Sequence, residues 1–314
     1  MRSHSTWPIH AVLLFTAALT LLPFAVLVNN AFRSTPEFYH GFFALPASVR
    51  GLAQVAGHAL TGDARPLAVR ADDGAMVALS RPAAFRFYLA HFAVGPERAW
   101  RVLRPYVLNS FIVSGLTAIA VCCLGSGTAY ILARYRFLGG RFVFLFILAT
   151  MVFPGVLTLV PSFLLVRELG LLNSYAAMIL PYVAGGQVFA IFVFKSFFEG
   201  LSEELFESAR LDGAGHWHLY WHIVLPLSRP IFAVVAIMNV LGTWNNFLWP
   251  FIVNTDDRHS VVASGLFTLS TSSMGGDVAT MFAAYLLSSL PLLVLFIYAN
   301  KPFVRGLTSG ALKV

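Results

Sequence analysis

Glu207, Ser208 and Ala209 are followed by three residues, then Gly213, nine more, and the run Ile223-Val224-Leu225-Pro226. One acid, two small residues and a glycine stop cannot break bonds, but at this spacing they can make a rigid docking knob. Leu201 to Leu211 reads as a short helix, with Ser202 as N-cap and Glu203 and Glu204 in the first turn, where the helix dipole favours anions. Leu201, Leu205, Ala209 and Leu211 are expected to form its apolar face, and Gly213 to end it by adopting positive φ. Trp217 to Val224 is an aromatic amphipathic stretch suited to a membrane surface, and Leu225-Pro226 marks a break before the next apolar run. Such a helix, held between two membrane spans, can pass on a displacement imposed by a partner.

Other chemistry is sparse. His216, His218 and His222 form one cluster, and the last two could share a helix face, so a metal or catalytic role in a membrane-bound enzyme is the alternative reading. No H-E-x-x-H, no G-x-S-x-G and no intramembrane acid pair accompanies them. The sequence lacks G-x-x-x-x-G-K-[ST], so the chain is not expected to bind or hydrolyse ATP. Cys122 and Cys123 are adjacent within an apolar run, which suits packing and neither a disulfide framework nor a metal site. The intramembrane amides Asn109, Gln187, Asn239, Asn245 and Asn246, with Trp244 and Trp249 nearby, could line a path for a polyhydroxylated solute. They could equally bond helix to helix, with the tryptophans forming an outer interfacial belt. No intramembrane acid is available to relay protons, which disfavours a proton-coupled carrier.

These residues need a membrane scaffold. Of 314 residues, 58% are hydrophobic and 11% charged, and the mean hydropathy is +0.76, too apolar for a soluble surface. Six apolar runs of spanning length lie at about 9–32, 107–133, 141–165, 174–198, 230–253 and 279–299. Helices are expected, since hydrocarbon offers the backbone no outside partner and the runs lack strand alternation. The first run is too long for a signal core and has no A-x-A site, so it is read as an uncleaved first helix. Pro154, Pro161, Pro181, Pro250 and Pro291 interrupt the later runs and predict bends.

Charge sets the expected topology. One side carries Arg2, then Arg134, Arg136 and Arg141, then Lys195, Arg210 and Arg229, then Lys301, Arg305 and Lys313; the short loops opposite hold only Arg167 and Arg258. Both termini are therefore expected in the cytoplasm. The net charge of +7 reads as topology, and no dense basic run with interleaved aromatics suggests nucleic acid. The expected divisions are 1–32, N-terminus and first span; 33–106, an extracytoplasmic loop; 107–299, the transmembrane core, with the polar loop at about 199–229; and 300–314, a cytoplasmic tail. In the long loop, Leu67 to Arg70 and Ala75 to Leu79 flank Asp72-Asp73-Gly74 as a hairpin. The loop either meets an extracytoplasmic partner or covers helix ends.

The pattern E-S-A-x3-G-x9-I-x-L-P resembles the EAA loop of ABC-importer permeases, with Ser208 in place of the usual Ala. Trp244 to Pro250 resembles the W-N-x-F-L-W-P stretch of carbohydrate permeases, and Gly306 to Lys313 their terminal G-L-T-x-G-A-x-K-G, with Val314 in place of the last Gly. The likeness runs from about residue 105 to the end and points to the MalG-like branch; the 33–104 segment lies outside it. It implies an all-α polytopic fold of the MetI/MalG-like type with six spans, and a non-catalytic permease subunit of a sugar or oligosaccharide importer in the bacterial inner membrane. It further implies a second, MalF-like permease subunit, two ATPase subunits holding ATP and Mg, and an extracytoplasmic solute-binding protein, with no cofactor bound by this chain. Glu207, Ser208, Ala209, Gly213, Ile223, Leu225 and Pro226 would couple to an ATPase subunit, and Gly306, Leu307, Thr308, Gly310, Ala311 and Lys313 would reach toward it. The EAA spacing alone would also suit a permease for a polyamine, phosphate ester or metal complex.

Overall fold

Hydropathy accounts for most of the helices. The computed structural model describes residues 7–63, 65–70, 75–272 and 276–311, with side chains for all of these but Pro8 and 300–311. Among them, four helices are long and apolar enough to cross a membrane, or up to six spans if each of two bent pairs counts as one. The chain divides into two compact units, Met1–Arg104 with Leu266–Leu290, and Pro105–Gly265 with Pro291–Val314.

In the first unit, α1 (Trp7–Ala31) carries outward Leu13, Leu14 and Phe15, more than half exposed, a surface that hydrocarbon accepts and water does not. Arg33 follows it, 3% exposed, donating to Asn30 Oδ1 at 2.9 Å, Phe42 O at 2.8 Å, Gly41 O at 2.6 Å and Glu37 O. Its acceptors are uncharged oxygens, so it gathers the chain after α1 and around α2 (Thr35–His40). Then come α3 (Ala47–Thr61) and an antiparallel hairpin, β1 (Leu67–Arg70) and β2 (Met76–Leu79), paired from Leu67↔Leu79 to Arg70↔Met76. This is the hairpin the sequence predicts, although its turn, 71–74, lies outside the described residues. Val55, Leu67, Val69 and Ala84 form its core, with Leu79, Phe87 and Tyr88 packed against them.

The long loop is thus largely helical. The helix α4 (Arg81–Arg134) begins 26 residues before the apolar run at 107. Arg81, Arg86, Arg98, Arg101 and Arg104 lower the hydropathy there without breaking the helix, and Pro82 sits in the first turn, where its missing N–H costs nothing. Just before the last helix, Asp277 accepts from Thr280 Oγ1 at 2.6 Å and Thr35 Oγ1 at 3.0 Å, with Arg98 at 3.6 Å.

In the second unit, the third apolar run bends by 99° after the 3-10 turn Thr150–Val152, between α5 (Gly140–Ala149) and α6 (Gly155–Glu168), with Pro154 at the break. Pro181 sits inside α7 (Tyr175–Glu199) without ending it. After α8 (Glu203–Leu211) come α9 (His216–Leu219), a π-turn Tyr220–Val224 and α10 (Leu225–Leu227). The path then turns by 76° into α11 (Arg229–Trp244).

The fifth run is not one continuous helix, as its hydropathy suggests. It stops at Trp244, and α12 (Leu248–Val253) restarts after 245–247, where Asn246 Oδ1 accepts the Trp249 N–H at 3.2 Å. Nor do the tryptophans form an interfacial belt. Trp244 is 4% exposed and packs edge-on against Phe111, and Trp249, 7% exposed, donates its indole N–H to Ala177 O at 3.0 Å. A 3-10 turn (Asp257–His259), α13 (Val262–Thr271) and α14 (Val278–Ala311) complete the chain.

Candidate functional site

The polar loop begins with a well-defined helix end. In α8 the N–H of Gly213 donates to Arg210 O at 3.0 Å and that of Ala214 to Ala209 O at 2.9 Å, the paired bonds of a Schellman motif. This closure needs the left-handed backbone that Gly213 adopts at φ +85°. Ser202 occupies the N-cap position, but its side chain makes no capping bond.

The apolar face differs from the expected one. Phe206, fully buried, is the anchor, with Ala209 and Leu201 packed against the same core of Phe194, Phe198 and Val224. Leu205 and Leu211 turn outward, 45% and 89% exposed, beside exposed Glu204, Glu207 and Ser208. An acid, a small residue and an unpartnered leucine thus share one surface.

What pins this helix is Arg134, at the end of α4. Its side chain is 6% exposed and donates to Phe198 O at 2.6 Å and Leu201 O at 2.8 Å, the last carbonyls around the end of α7. Those bonds come from Nη2, whereas Nη1 reaches Glu203 Oε2 at 2.7 Å, and the guanidinium lies 4.0 Å over the Phe206 ring. Glu203 also meets Arg210 at 3.4 Å. One side chain therefore joins the C-terminal end of α4, the end of α7 and the start of α8. Topology counting treats Arg134 only as a charge; its pairing with Glu203, 69 residues away, is invisible to local patterns.

Beyond Gly213, Trp217 and Trp221 are 76% and 57% exposed, as an interfacial stretch requires. Tyr220 donates to or accepts from Ser126 Oγ at 2.6 Å, and Tyr135 hydrogen-bonds His216 Nδ1. His218 and His222 stack at 4.1 Å. His216 is thus drawn to a tyrosine, and among the described residues no three His, Cys, Asp or Glu side chains are grouped to hold a metal. Ile223 and Leu225 pack against the core that holds Phe206, while Pro226 is exposed before the 76° turn.

A cleft of about 370 Å³ opens between α7 and α11. Tyr182, Asn239, Thr243 and Asn246 give it polar walls, and Phe189 and Met238 apolar ones. Two of the five candidate pathway amides, Asn239 and Asn246, therefore come together. Gln187 is not among the walls, and its Nε2 is buried without a partner among the described residues. Asn245 is exposed and bonds Leu241 O at 2.9 Å. Asn109 is committed elsewhere: it donates to Arg258 O at 2.9 Å and Ser260 O at 2.8 Å, and accepts from Tyr175 Oη at 2.7 Å. It clamps a loop, about 37 Å along α4 from Arg134 at 1.5 Å per residue. Gly306, Leu307, Thr308, Gly310 and Ala311 continue α14, and Lys313 lies outside the described residues.

Residues 123–309, which contain the pinned helix and the cleft, match the family described as binding-protein-dependent transport system inner membrane component. The chain belongs to this family. The permease is 30% identical over 307 residues to the diacetylchitobiose uptake system permease protein NgcG of Streptomyces coelicolor, covering 97% of this chain and 88% of that one. It is 35% identical over 205 residues to the arabinooligosaccharides transport system permease protein AraQ of Halalkalibacterium halodurans, covering 65% and 72%. Its fold matches a chain from the crystal structure of a bacterial ABC transporter involved in the import of the acidic polysaccharide alginate. The TM-score is 0.70 at 20% identity, over 96% of the permease and 98% of that chain. The family match begins within α4, so the α2–α3–hairpin segment lies before it, whereas the NgcG likeness extends across nearly the whole permease.

Proposed function

We propose that this permease is one half of the membrane pathway of an ABC importer for a sugar or oligosaccharide. A second, homologous MalF-like permease subunit would form the other half. An extracytoplasmic binding protein would deliver the solute, and two ATPase subunits, holding ATP and Mg, would drive it inward. The named relatives support a carbohydrate cargo. A structural neighbour, at a TM-score of 0.51, comes from an alginate transporter in complex with a periplasmic protein, which supports the delivery step. The basic loops support cytoplasmic termini.

The observation that carries the reading is the outward face of α8, where Glu207, Ser208 and Leu211 are exposed on a helix locked at both ends. In this reading Glu207 and Ser208 enter a groove of one ATPase subunit, Ala209 seats the helix on the core beneath them, and Gly213 fixes the exit. Ile223, Leu225 and Pro226 hold the following turn, and the segment from Gly306 through Thr308 and Gly310 to Lys313 adds a second contact. Nucleotide-driven closure of the ATPases would move α8 as a rigid body and, through Arg134, bias the spans between two arrangements. Asn239 and Asn246 would meet the solute, with Asn109 holding the outer loop in place.

Tagged permease purified from its native membrane in mild detergent tests this. A P-loop ATPase and a second permease should copurify, with hydrolysis raised by a binding protein and its sugar. Glu207→Arg, which breaks no side-chain hydrogen bond or ion pair among the described residues, should lose the ATPase while the second permease remains. An ATPase retained by Glu207→Arg, or one absent from the unmodified complex even after crosslinking, would overturn the assignment.

A further inference from the structure

We propose that the cleft between α7 and α11 is a subsite for one ring of an uncharged glycan, so that this subunit itself selects against anionic cargo. The inference deepens the transport reading and depends on it for biological meaning, although the binding chemistry stands on the cleft alone. Its volume of about 370 Å³ falls within the roughly 300–1,000 Å³ of small-molecule sites.

The free hydrogen-bonding groups are of mixed sense. Asn239 spends its Nδ2 on Val235 O at 2.9 Å, which leaves Oδ1 as an acceptor toward the cleft's contents. Asn246 spends Oδ1 on the Trp249 N–H at 3.2 Å, which leaves its Nδ2 as a donor. Thr243 donates to Asn239 O at 2.8 Å and keeps acceptor capacity. Sugar hydroxyls both donate and accept, so they can satisfy such a mixed set. A carboxylate or phosphate would need donors or cations throughout, yet among the described residues no Asp, Glu, Lys or Arg lines the cleft. Burying an anion here would carry an uncompensated desolvation cost. Phe189 offers an apolar face for the C–H side of a ring.

Glycines keep the space open. A Cβ on Gly185 or Gly242, both lining the cleft, would meet nothing within 4 Å, so their missing side chains leave room that nothing else fills. Gly186 differs: its Cβ would come within 2.6 Å of Asn239 Oδ1 and 2.9 Å of Val121 Cγ2, so this glycine lets α7 approach and seats the amide. Larger residues at 185 and 242 would therefore fill the cleft without forcing the helices apart.

Saturation-transfer NMR on the assembled transporter in nanodiscs, without binding protein, tests this with cellobiose and N,N′-diacetylchitobiose as neutral probes and digalacturonate as the anionic one. The neutral sugars should give signal and the diuronate none. Gly242→Leu and Gly185→Leu should each weaken the neutral signal about tenfold, as expected for losing the space and a hydrogen bond or two. An unchanged elution volume and thermal midpoint would show that both variants are intact, and Gly242→Ala keeps the test open if either is not. Neutral signal that survives Gly242→Leu, no neutral signal in the unmodified protein, or equal signal from the diuronate would each overturn the proposal. The same titration on the purified full chain alone reads the cleft even where no ATPase copurifies, which separates failure of this inference from failure of the transport reading.

Discussion

Replacing Arg134 with Ala should loosen α8 more than any substitution on its exposed face. The side chain makes two charge-assisted bonds to the carbonyls of Phe198 and Leu201, at 2.6 and 2.8 Å, each worth about 1.5–3 kcal/mol. Its cation–π contact over Phe206 adds about 0.5–2 kcal/mol. The ion pair with Glu203 adds about 0–1 kcal/mol, because that carboxylate is 54% exposed and screened. Desolvation of the guanidinium and water reaching the freed carbonyls offset part of this, so a net local loss of about 3 kcal/mol is expected, roughly a hundredfold rise in opening. Hydrogen exchange at the amides of Glu207 to Leu211, in the detergent-solubilised protein, reads that opening directly. Protection there should fall by about two orders of magnitude in Arg134→Ala, and less in Arg134→Lys, which keeps the charge but not the fork. Glu203→Gln should change it little. If Glu203→Gln matched Arg134→Ala, or if Arg134→Ala left exchange unchanged, the carbonyl contacts would not be what holds α8.

Two further outcomes follow from local geometry. Gly213→Ala should cost about 1–2 kcal/mol of α8 stability through its φ of +85° alone, since its Cβ would meet nothing within 4 Å. Gly213→Pro should cost more, because it also removes the N–H that Arg210 O accepts; faster exchange around residue 210 with uptake reduced in the same order would bear this out, and equal behaviour would count against it. At Asp277 burial alone would raise the carboxyl pKa, but bonds from the Thr280 hydroxyl and N–H, the Thr35 hydroxyl and the Arg98 charge together bring it below the usual value. A depressed pKa means that its stabilisation is fully present above the unfolded-state value of about 4 and is lost as pH falls through the folded-state value. Thermal unfolding from pH 7 down to pH 3 should therefore show an acid decline that shrinks in Asp277→Asn, whose stability at neutral pH should already be lower.

The parts of the fold that were legible in the sequence are those fixed by local rules. The β1–β2 pairing follows from alternation and turn residues, and the end of α8 at Gly213 from the one residue type that takes a left-handed backbone without penalty. What failed were inferences of phase and of hydropathy. With nine residues in α8, a face drawn through Leu205 and Leu211 and one drawn through Phe206 and Ala209 differ by about one residue, or 100° of rotation, and the core settles the matter by taking the larger ring. Averaging over the arginines between 81 and 104 hid the first half of α4, since charge lowers hydropathy without lowering helix propensity.

The amides show why a site is harder to read than a fold. Asn109, Asn239 and Asn246 look alike in sequence, each a polar group in an apolar run. Their partners differ entirely. Asn109 has both donors and its acceptor taken by a loop and a tyrosine, whereas Asn239 and Asn246 each spend one end on their own backbone neighbourhood and leave the other end to the cleft. Whether an intramembrane amide serves structure or solute depends on how many of its hydrogen bonds the protein has already used, and those partners come from residues up to 151 positions away. The W-N-N-F-L-W-P stretch encodes one of these outcomes locally: Asn246 restarts a helix and Trp249 anchors it to α7, so the break that ends α11 also leaves an amide nitrogen uncommitted beside the cleft.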